Sequence, residues 1–450
     1  MKRFCLVILL GAVGILAGTG CTPELDPPVL EPGRADFTRV VALGGSVMSG
    51  YQDGALYEEG QRNSLGNLLA SRLNFGQDIA FNAPLIPTGA SLGVNPKPWE
   101  SPYQSRSAMG ERVDCEDVVS LGPVKTELSL NDITASGAIA QVSGTQHNFA
   151  IPSATLADLT NPTLSSASPN YGPALFYQRF ADPSSSPLGA AIAQDPTFVI
   201  FNPGLQDIVN WAATGGALSP LPDAAAFRAQ LDSMLGALTA NGAKGVLGTI
   251  PDIGDLPFFT TVSSQSLELD QVLADSLNAI YALGSIDIGF QAGANGFIIE
   301  DNAVSPPFRQ LSPDEYLTLT VPLDSMRCFL LGVLIQVIPD RYSLIDSELA
   351  ALRTTVQQMN AAIIDLAANY DFAVADVAGL YADLSQGIVQ DGVDFSTEFV
   401  SGNYFSLDGL GPTPKGAGML TNVYVAAINA HFGATVPTVR LDDLRAVLLP

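Results

Sequence analysis

Ser46 has the clearest potential for chemistry in this sequence, because it stands among small residues in the run Gly44-Gly45-Ser46-Val47-Met48-Ser49-Gly50. A serine hydroxyl becomes a good nucleophile only when a nearby base takes its proton. The chain has two His and four Cys, and none of them follows a C-x-x-C or H-x-x-x-H spacing. This argues against a zinc, haem or iron–sulfur catalyst, and no cofactor is expected. The same run also suits a tight strand-to-helix turn without chemistry.

The elements that must position Ser46 follow from hydrophobic patterning. Helical spacing predicts helices over 223–241, with Asp223 as the N-cap and Gly242 as the stop, and over 344–370 and 414–432. Short apolar runs predict strands over 38–43, 197–201, 245–250 and 372–376, with 148–151 as a fifth candidate. Buried strands that alternate with helices predict an α/β fold, a three-layer α/β/α sandwich with a parallel sheet. Sites on such sheets lie at the carboxyl ends of the strands.

Four blocks at these predicted strand or loop ends resemble the GDSL, or SGNH, ester hydrolases. They are residues 40–51, 147–154, 201–207 and 405–416, and their order and spacing also agree with that family. Residues 51–57 and 241–259 look like a lipoprotein branch of the family found in bacterial envelopes. The resemblance covers nearly all of 35–450 as one domain. It implies the SGNH hydrolase fold, with a flavodoxin-like strand order and long insertions near 83–140 and 262–343.

The resemblance also implies roles for individual residues. Ser46 takes the place of the nucleophile, and Asp408 that of the acid that orients a His three residues later. The oxyanion hole would use the N–H groups of Ser46 and Ser153 and the side chain of Gln206. Three positions depart from the family pattern, since Gly411 replaces the His, Gln206 an Asn, and Gly45 an Asp. Without a catalytic role, Asp408 would cap a turn, and Gln206 and Asp207 would bond loop backbone.

The missing His argues against efficient catalysis. Loss of the Ser or the His from the Ser-His-Asp triad of a serine hydrolase lowers turnover by a factor of about 10⁶. His147 and His431 are expected to lie away from the site, by roughly 13 Å and 30 Å of strand or helix. The sequence therefore favours a pseudoenzyme that serves as a binding or assembly module. An active esterase or lipase on acyl or acetyl esters, with an unidentified base, is the alternative. Restoration of the pattern by Gly411→His, alone or with Gln206→Asn and Gly45→Asp, is expected to raise activity if the pocket still has its shape.

The amino terminus predicts export. Lys2 and Arg3 precede the apolar run Phe4 to Ala17, and Gly18-Thr19-Gly20-Cys21 resembles a lipobox. Residues 1–20 are predicted to be a lipoprotein signal peptide, Cys21 the lipidated residue, and 21–34 a Pro-rich stalk. The expected place is the cell envelope, as an outer membrane lipoprotein facing the periplasm or the surface. Ordinary secretion, with Cys21 as a spare thiol, is the alternative, and an oxidising compartment would also permit a disulfide between Cys115 and Cys328.

The charge balance limits the partners. Lys and Arg total 20 against 45 Asp and Glu, a formal net charge of −25. Nucleic acid is therefore an improbable partner, because phosphate-backbone binders need a basic surface. The predicted partners are the membrane, through the lipid anchor, and an acylated glycan, a lipid or an envelope protein.

Overall fold

A computed structural model describes residues 31–74, 79–95, 102–168, 172–334 and 336–447. The predicted signal peptide, Cys21 and most of the predicted stalk lie outside these residues. In chain order the strands are β1 Val40–Gly44, β2 Leu56–Tyr57, β3 Ser91–Val94, β4 Tyr103–Gln104, β5 Ala108–Val113, β6 Val119–Val124, β7 Glu127–Leu128, β8 Phe198–Asn202, β9 Lys244–Gly248, β10 Leu267–Leu269, β11 Gly293–Asn295, β12 Ile298–Glu300, β13 Phe308–Gln310, β14 Tyr316–Leu317, β15 Ser343–Leu344, β16 Phe372–Ala375, β17 Ile388–Gln390 and β18 Val393–Phe395.

The helices surround these strands. They are α1 Ser46–Ser49, α2 Glu58–Arg62, α3 Leu65–Leu73, α4 Leu130–Ala135, α5 Leu156–Thr160, α6 Gly172–Tyr177, α7 Pro187–Ile192, α8 Leu205–Ala212, α9 Ala224–Leu238, α10 Pro257–Thr260, α11 Gln271–Leu283, α12 Leu323–Cys328, α13 Asp346–Asn369, α14 Val377–Gln386 and α15 Pro414–Phe432. Among these helices, none is both long and apolar enough to cross a membrane.

The chain is a mixed α/β protein built on a parallel four-stranded sheet. The strand order is β1-β8-β9-β16, and Val40–Gly44 pairs in register with Phe198–Asn202. The four strands predicted from short apolar runs are confirmed, each shifted or shortened by one or two residues at its ends. Every residue of β1 and β8 is buried, which is why these strands read as continuous apolar runs.

The fifth candidate, 148–151, is not a regular strand. Asn148 forms a single parallel bridge with Ala42 of β1, and the Phe149 and Ile151 N–H groups donate to the Ala42 and Gly44 carbonyls. The Asn148 carboxamide oxygen accepts the Ala150 N–H at 3.0 Å, and this local turn diverts the backbone. The segment therefore lies along the free side of β1 without a full ladder.

The predicted long helices are confirmed as α9, α13 and α15. The Asp223 side chain accepts the Ala226 N–H at 2.7 Å, so Asp223 is the N-cap as predicted. The helix ends at Leu238, before Gly242, and Thr239 is its C-cap, with its N–H and hydroxyl both donating to the Leu235 carbonyl. α13 packs on α9, α15 packs on α3, and both α13 and α15 contact β9 and β16.

The two predicted insertions form small structures of their own. The first contains β3 to β7 and α4, and the second contains β10 to β14, α11 and α12. The second insertion also has a hydrophobic cluster separate from that of the main sheet, and Leu319 packs against both clusters. A disulfide between Cys115 and Cys328, with Cα atoms 6.4 Å apart, joins the two insertions across 213 residues of sequence. The pairing that the sequence left open is thus present.

Candidate functional site

Ser46 lies at the carboxyl end of β1, where the strand passes directly into α1. Gly44 has a φ of +143°, which a residue with a side chain rarely adopts, so this turn requires glycine. Gly45 has no room for a large side chain either, because a Cβ there would lie 3.0 Å from the Gln206 Cβ and Oε1. The turn leaves Ser46 half-buried at the edge of the sheet.

Ser153 lies directly beside Ser46. The segment that follows Asn148 runs along β1, and Ser153 takes a left-handed conformation with φ +62° at its end. Its N–H donates to Ser46 Oγ at 3.1 Å. The structure thus brings together two of the residues predicted to form an oxyanion hole. Within the described residues, this N–H is the hydrogen-bond partner of the Ser46 hydroxyl oxygen, and no base contacts it.

Gln206 reaches the same point from the first turn of α8. Its Oε1 accepts the Ser46 N–H at 3.3 Å, and its Nε2 donates to Asn210 Oδ1 at 2.7 Å. Asn210 Nδ2 in turn donates to the Ser153 carbonyl at 2.9 Å. Gln206 therefore presents a carbonyl oxygen to the Ser46 N–H, the group that an oxyanion would need. The predicted donor side chain acts as an acceptor and occupies the hole.

Asp408 does not contact Ser46. Its Oδ1 accepts the Leu410 and Gly411 N–H groups at 2.8 Å each and the Ser406 hydroxyl at 3.0 Å, and its Oδ2 accepts the Gly54 N–H at 3.0 Å. Burial raises the pKa of this carboxyl, and these backbone N–H bonds oppose the rise. The geometry is that of a turn cap, one of the two roles considered for Asp408.

The position of the missing His is closed. Gly411 is buried, and a Cβ on it would lie 2.7 Å from the Tyr51 carbonyl oxygen and 3.6 Å from Asp408 Oδ2. Tyr51 is itself fixed, since its N–H donates to the Ser46 carbonyl and its hydroxyl donates to the Gly54 carbonyl at 2.7 Å. The expectation that Gly411→His raises activity required a pocket that keeps its shape, and the geometry argues against it, because the backbone of the 51–54 loop fills the space.

Neither His reaches the site. His147 Nδ1 accepts the Asn82 N–H at 3.0 Å, and its ring stacks on Phe81 with centroids 6.2 Å apart. Burial lowers the pKa of His147. His431 Nε2 lies 2.8 Å from Asp371 Oδ1, next to the amino end of β16. Ser46 follows the carboxyl end of β1, so the two residues lie at opposite ends of the parallel strands. Both residues are accounted for by local contacts.

Two residues of the site were missed by reasoning from the sequence. Asn210 has no counterpart in the quoted blocks, but it lies four residues after Gln206 on α8, the spacing at which side chains meet on a helix. The Tyr51 carbonyl is a backbone group, so no pattern of side chains in the sequence predicts its position beside Gly411. Asp207 does bond loop backbone, as one alternative held, since its carboxylate accepts the Leu156 N–H at 3.1 Å.

Asp207 gives a pH-dependent prediction. Burial raises the pKa of Asp207 from 3.8 to about 7. The folded chain then holds a proton that the unfolded chain releases, so stability falls as pH rises between about 4 and 7. Asp207→Asn should therefore be more stable than the wild type at pH 8, by up to about 4 kcal/mol at 1.36 kcal/mol per pKa unit.

Urea unfolding at pH 4, 6 and 8 measures this difference. The gain should vanish at pH 4, and Asp383→Asn, an exposed acid on α14, should show no such trend. A constant difference between Asp207→Asn and the wild type at all three values would contradict the burial argument.

Comparisons with known proteins do not add to this geometry. No protein-family model matches the chain, and no curated protein matches it.

Proposed function

We propose that this protein is an exported lipoprotein with an SGNH-hydrolase-like fold whose esterase chemistry is impaired, and that it acts as a binding or assembly module in the cell envelope. The observation that carries the proposal is the state of Ser46. Its hydroxyl oxygen accepts one N–H, its own N–H is taken by Gln206, and the Tyr51 carbonyl stands 2.7 Å from where a residue-411 Cβ would be.

The order of the sheet supports the fold part of the proposal. With the Asn148 segment beside β1, the parallel elements lie in the chain order 2-1-3-4-5, which is the flavodoxin-like order. The helix pairs α13 with α9 and α15 with α3 would then be the two outer layers of a three-layer sandwich. This order is also what the quoted blocks imply.

The retained contact between Ser46 and Ser153 favours the alternative, an esterase with little remaining activity. An N–H at 3.1 Å from a serine Oγ is suitably placed for acyl chemistry, since an oxyanion would form within reach of the same donor. A base is what this arrangement lacks within the described residues. Unassisted serine is a weak nucleophile, so any hydrolysis through Ser46 should be slow.

A p-nitrophenyl ester assay separates the two functions. The purified protein should hydrolyse p-nitrophenyl acetate and butyrate barely above background, and Ser46→Ala should change the rate little. Ser49→Ala is a matched control, because Ser49 shares the α1 helix and its hydroxyl donates to the Ser46 carbonyl. A robust wild-type rate that disappears in Ser46→Ala and persists in Ser49→Ala would establish the esterase instead.

A further inference from the structure

A cavity separate from the Ser46 site lies beside the 51–54 loop, and Gln52 and Asp53 of this loop line it. It has a volume of about 240 Å³. Residues from four segments line it, namely 52–57, 106–109 at the start of β5, 406–414 and 445–447. None of Ser46, Ser153 and Gln206 lines it. Two of its lining residues, Arg106 and Arg445, are cationic, in a chain whose acids outnumber its bases by 25.

Tyr57 and Asp53 hold the Arg106 side chain in place but leave its terminal nitrogens without hydrogen bonds in the described part of the chain. Its guanidinium carbon lies 4.2 Å from the centroid of the Tyr57 ring, an arrangement that fixes the plane of the group. Its Nε is buried and forms an ion pair with Asp53 Oδ2 at 3.4 Å. Its two terminal nitrogens make no hydrogen bond within the described residues, and the side chain is 33% exposed, so these nitrogens are available to an acceptor in the cavity.

The anions near the cavity are already engaged. Asp53 Oδ2 accepts the Tyr57 hydroxyl at 2.8 Å, and Oδ1 accepts the Leu407 N–H at 3.0 Å. Arg445 pairs with Glu59, which stands outside the lining. The two arginines therefore face two carboxylates, so the site has no surplus charge to hold a dianion, and one negative charge on a ligand would be met by the terminal nitrogens of Arg106.

The rest of the cavity sets the ligand's size and polarity. Met109, Leu407 and Val447 contribute apolar side chains to the lining. A volume of about 240 Å³ is below the 300–1,000 Å³ of sites for drug-sized ligands, so the occupant should be small. The planar guanidinium group matches the geometry of a carboxylate and can form two parallel hydrogen bonds with it, so a carboxylate suits Arg106.

We propose that this cavity binds a small organic monocarboxylate, with its acid group on Arg106 and its carbon chain against Met109, Leu407 and Val447. The proposal gives a ligand class to the binding role proposed above. It rests on different residues from those that argue against hydrolysis, so the two can fail separately.

Calorimetric titration of the purified full chain with three probes tests the ligand class. Hexanoate should bind at least about tenfold more tightly than hexanamide, its neutral analogue, because charge-assisted hydrogen bonds to an arginine are lost in the amide. Hexanoate should also bind more tightly than butyl phosphate. Equal affinity for hexanamide, tighter binding of butyl phosphate, or no binding of hexanoate at 10 mM would overturn the proposal.

Variants locate the site. Arg106→Gln should weaken hexanoate about tenfold or more, whereas Arg228→Gln, which removes an exposed arginine paired with Asp365, should leave it unchanged. Ser46→Ala should also bind hexanoate normally. Loss of binding in Ser46→Ala with retention in Arg106→Gln would place the carboxylate at Ser46, as an esterase product, and would overturn the proposal while supporting the esterase.

A measurement on the unmodified chain guards against a misfolded Arg106 variant. The methyl signal of Met109, assigned by Met109→Leu in a sample with labelled methionine methyl groups, should shift on addition of hexanoate. An unchanged Met109 signal at saturating hexanoate would show that the ligand binds elsewhere and would overturn the proposal.

Discussion

Gly411→His is expected to destabilise the protein and to leave ester hydrolysis at the wild-type level. A Cβ at residue 411 meets the Tyr51 carbonyl oxygen at 2.7 Å, and this oxygen belongs to backbone that cannot rotate away. The 51–54 loop must shift, and it is tied down by the bonds from Gly54 N–H to Asp408 and from Asp53 N–H to Ser406 Oγ. Overpacking of this kind costs about 1–3 kcal/mol.

Gly411→Ala is the matched control for this experiment. It adds the same Cβ without the imidazole, so it should lower the melting temperature by a similar amount and also leave hydrolysis unchanged. Thermal unfolding and the p-nitrophenyl butyrate rate are the two measurements. Ser46-dependent hydrolysis in Gly411→His, absent in Gly411→Ala, would mean that the loop gives way and that the site is only one residue from activity.

The triple variant Gly411→His, Gln206→Asn, Gly45→Asp meets a second obstacle at Gly45. An aspartate there needs the space of Gln206, whose Cβ and Oε1 both lie 3.0 Å from the added Cβ. Gln206→Asn withdraws the amide end of the side chain but leaves its Cβ in place. The triple variant is therefore expected to remain inactive as long as the Tyr51 carbonyl keeps its position.

Cys21→Ala is expected to abolish acylation of the protein completely. The sequence places Cys21 directly after the small residues Gly18-Thr19-Gly20, and an acyl chain carried by a lipidated cysteine contributes about 0.8 kcal/mol per buried CH₂ to membrane binding. Labelling of an expressing Gram-negative cell with an alkyne fatty acid reads the acyl group itself, even if the signal peptide is still attached.

Cys5 provides the control for this labelling. It lies within the predicted signal peptide, so Cys5→Ala should leave the label on the mature chain unchanged. Label that persists in Cys21→Ala would refute the lipobox and favour ordinary secretion. Fractionation of the same cells should show the wild type in the membrane fraction.

The sheet could be predicted from the sequence because its strands are buried on both faces. β1 is entirely apolar or glycine, and β8 is apolar up to its last residue, Asn202. The helices α9, α13 and α15 have clear helical spacing and end signals such as the Asp223 cap. The turn at Ser46 was also predictable, because the pair Gly44-Gly45 follows the apolar run and the turn adopts a φ of +143° at Gly44, which favours glycine. These features depend on local sequence, and a single chain contains the information.

The closure of the site could not be predicted in the same way. It depends on a backbone carbonyl at Tyr51 that meets a residue 360 positions later, and on a glutamine that uses its oxygen where an amide donor was expected. The sequence indicated that the His was missing, but not that the space had been filled. Likewise, the Arg106 cavity combines segments near residues 52, 106, 406 and 445, which no local pattern connects.

The separate hydrophobic cluster of the second insertion has a consequence for how the chain unfolds. This cluster packs separately from the main core and meets it through Leu319 and β14, so it can lose its structure before the sheet does, and the protein should contain more than one cooperative unit. The Cys115–Cys328 bond keeps the two insertions together when either opens. Calorimetric and spectroscopic transitions then need not coincide, and Trp211, buried in the main core, reports on the sheet unit that contains Ser46.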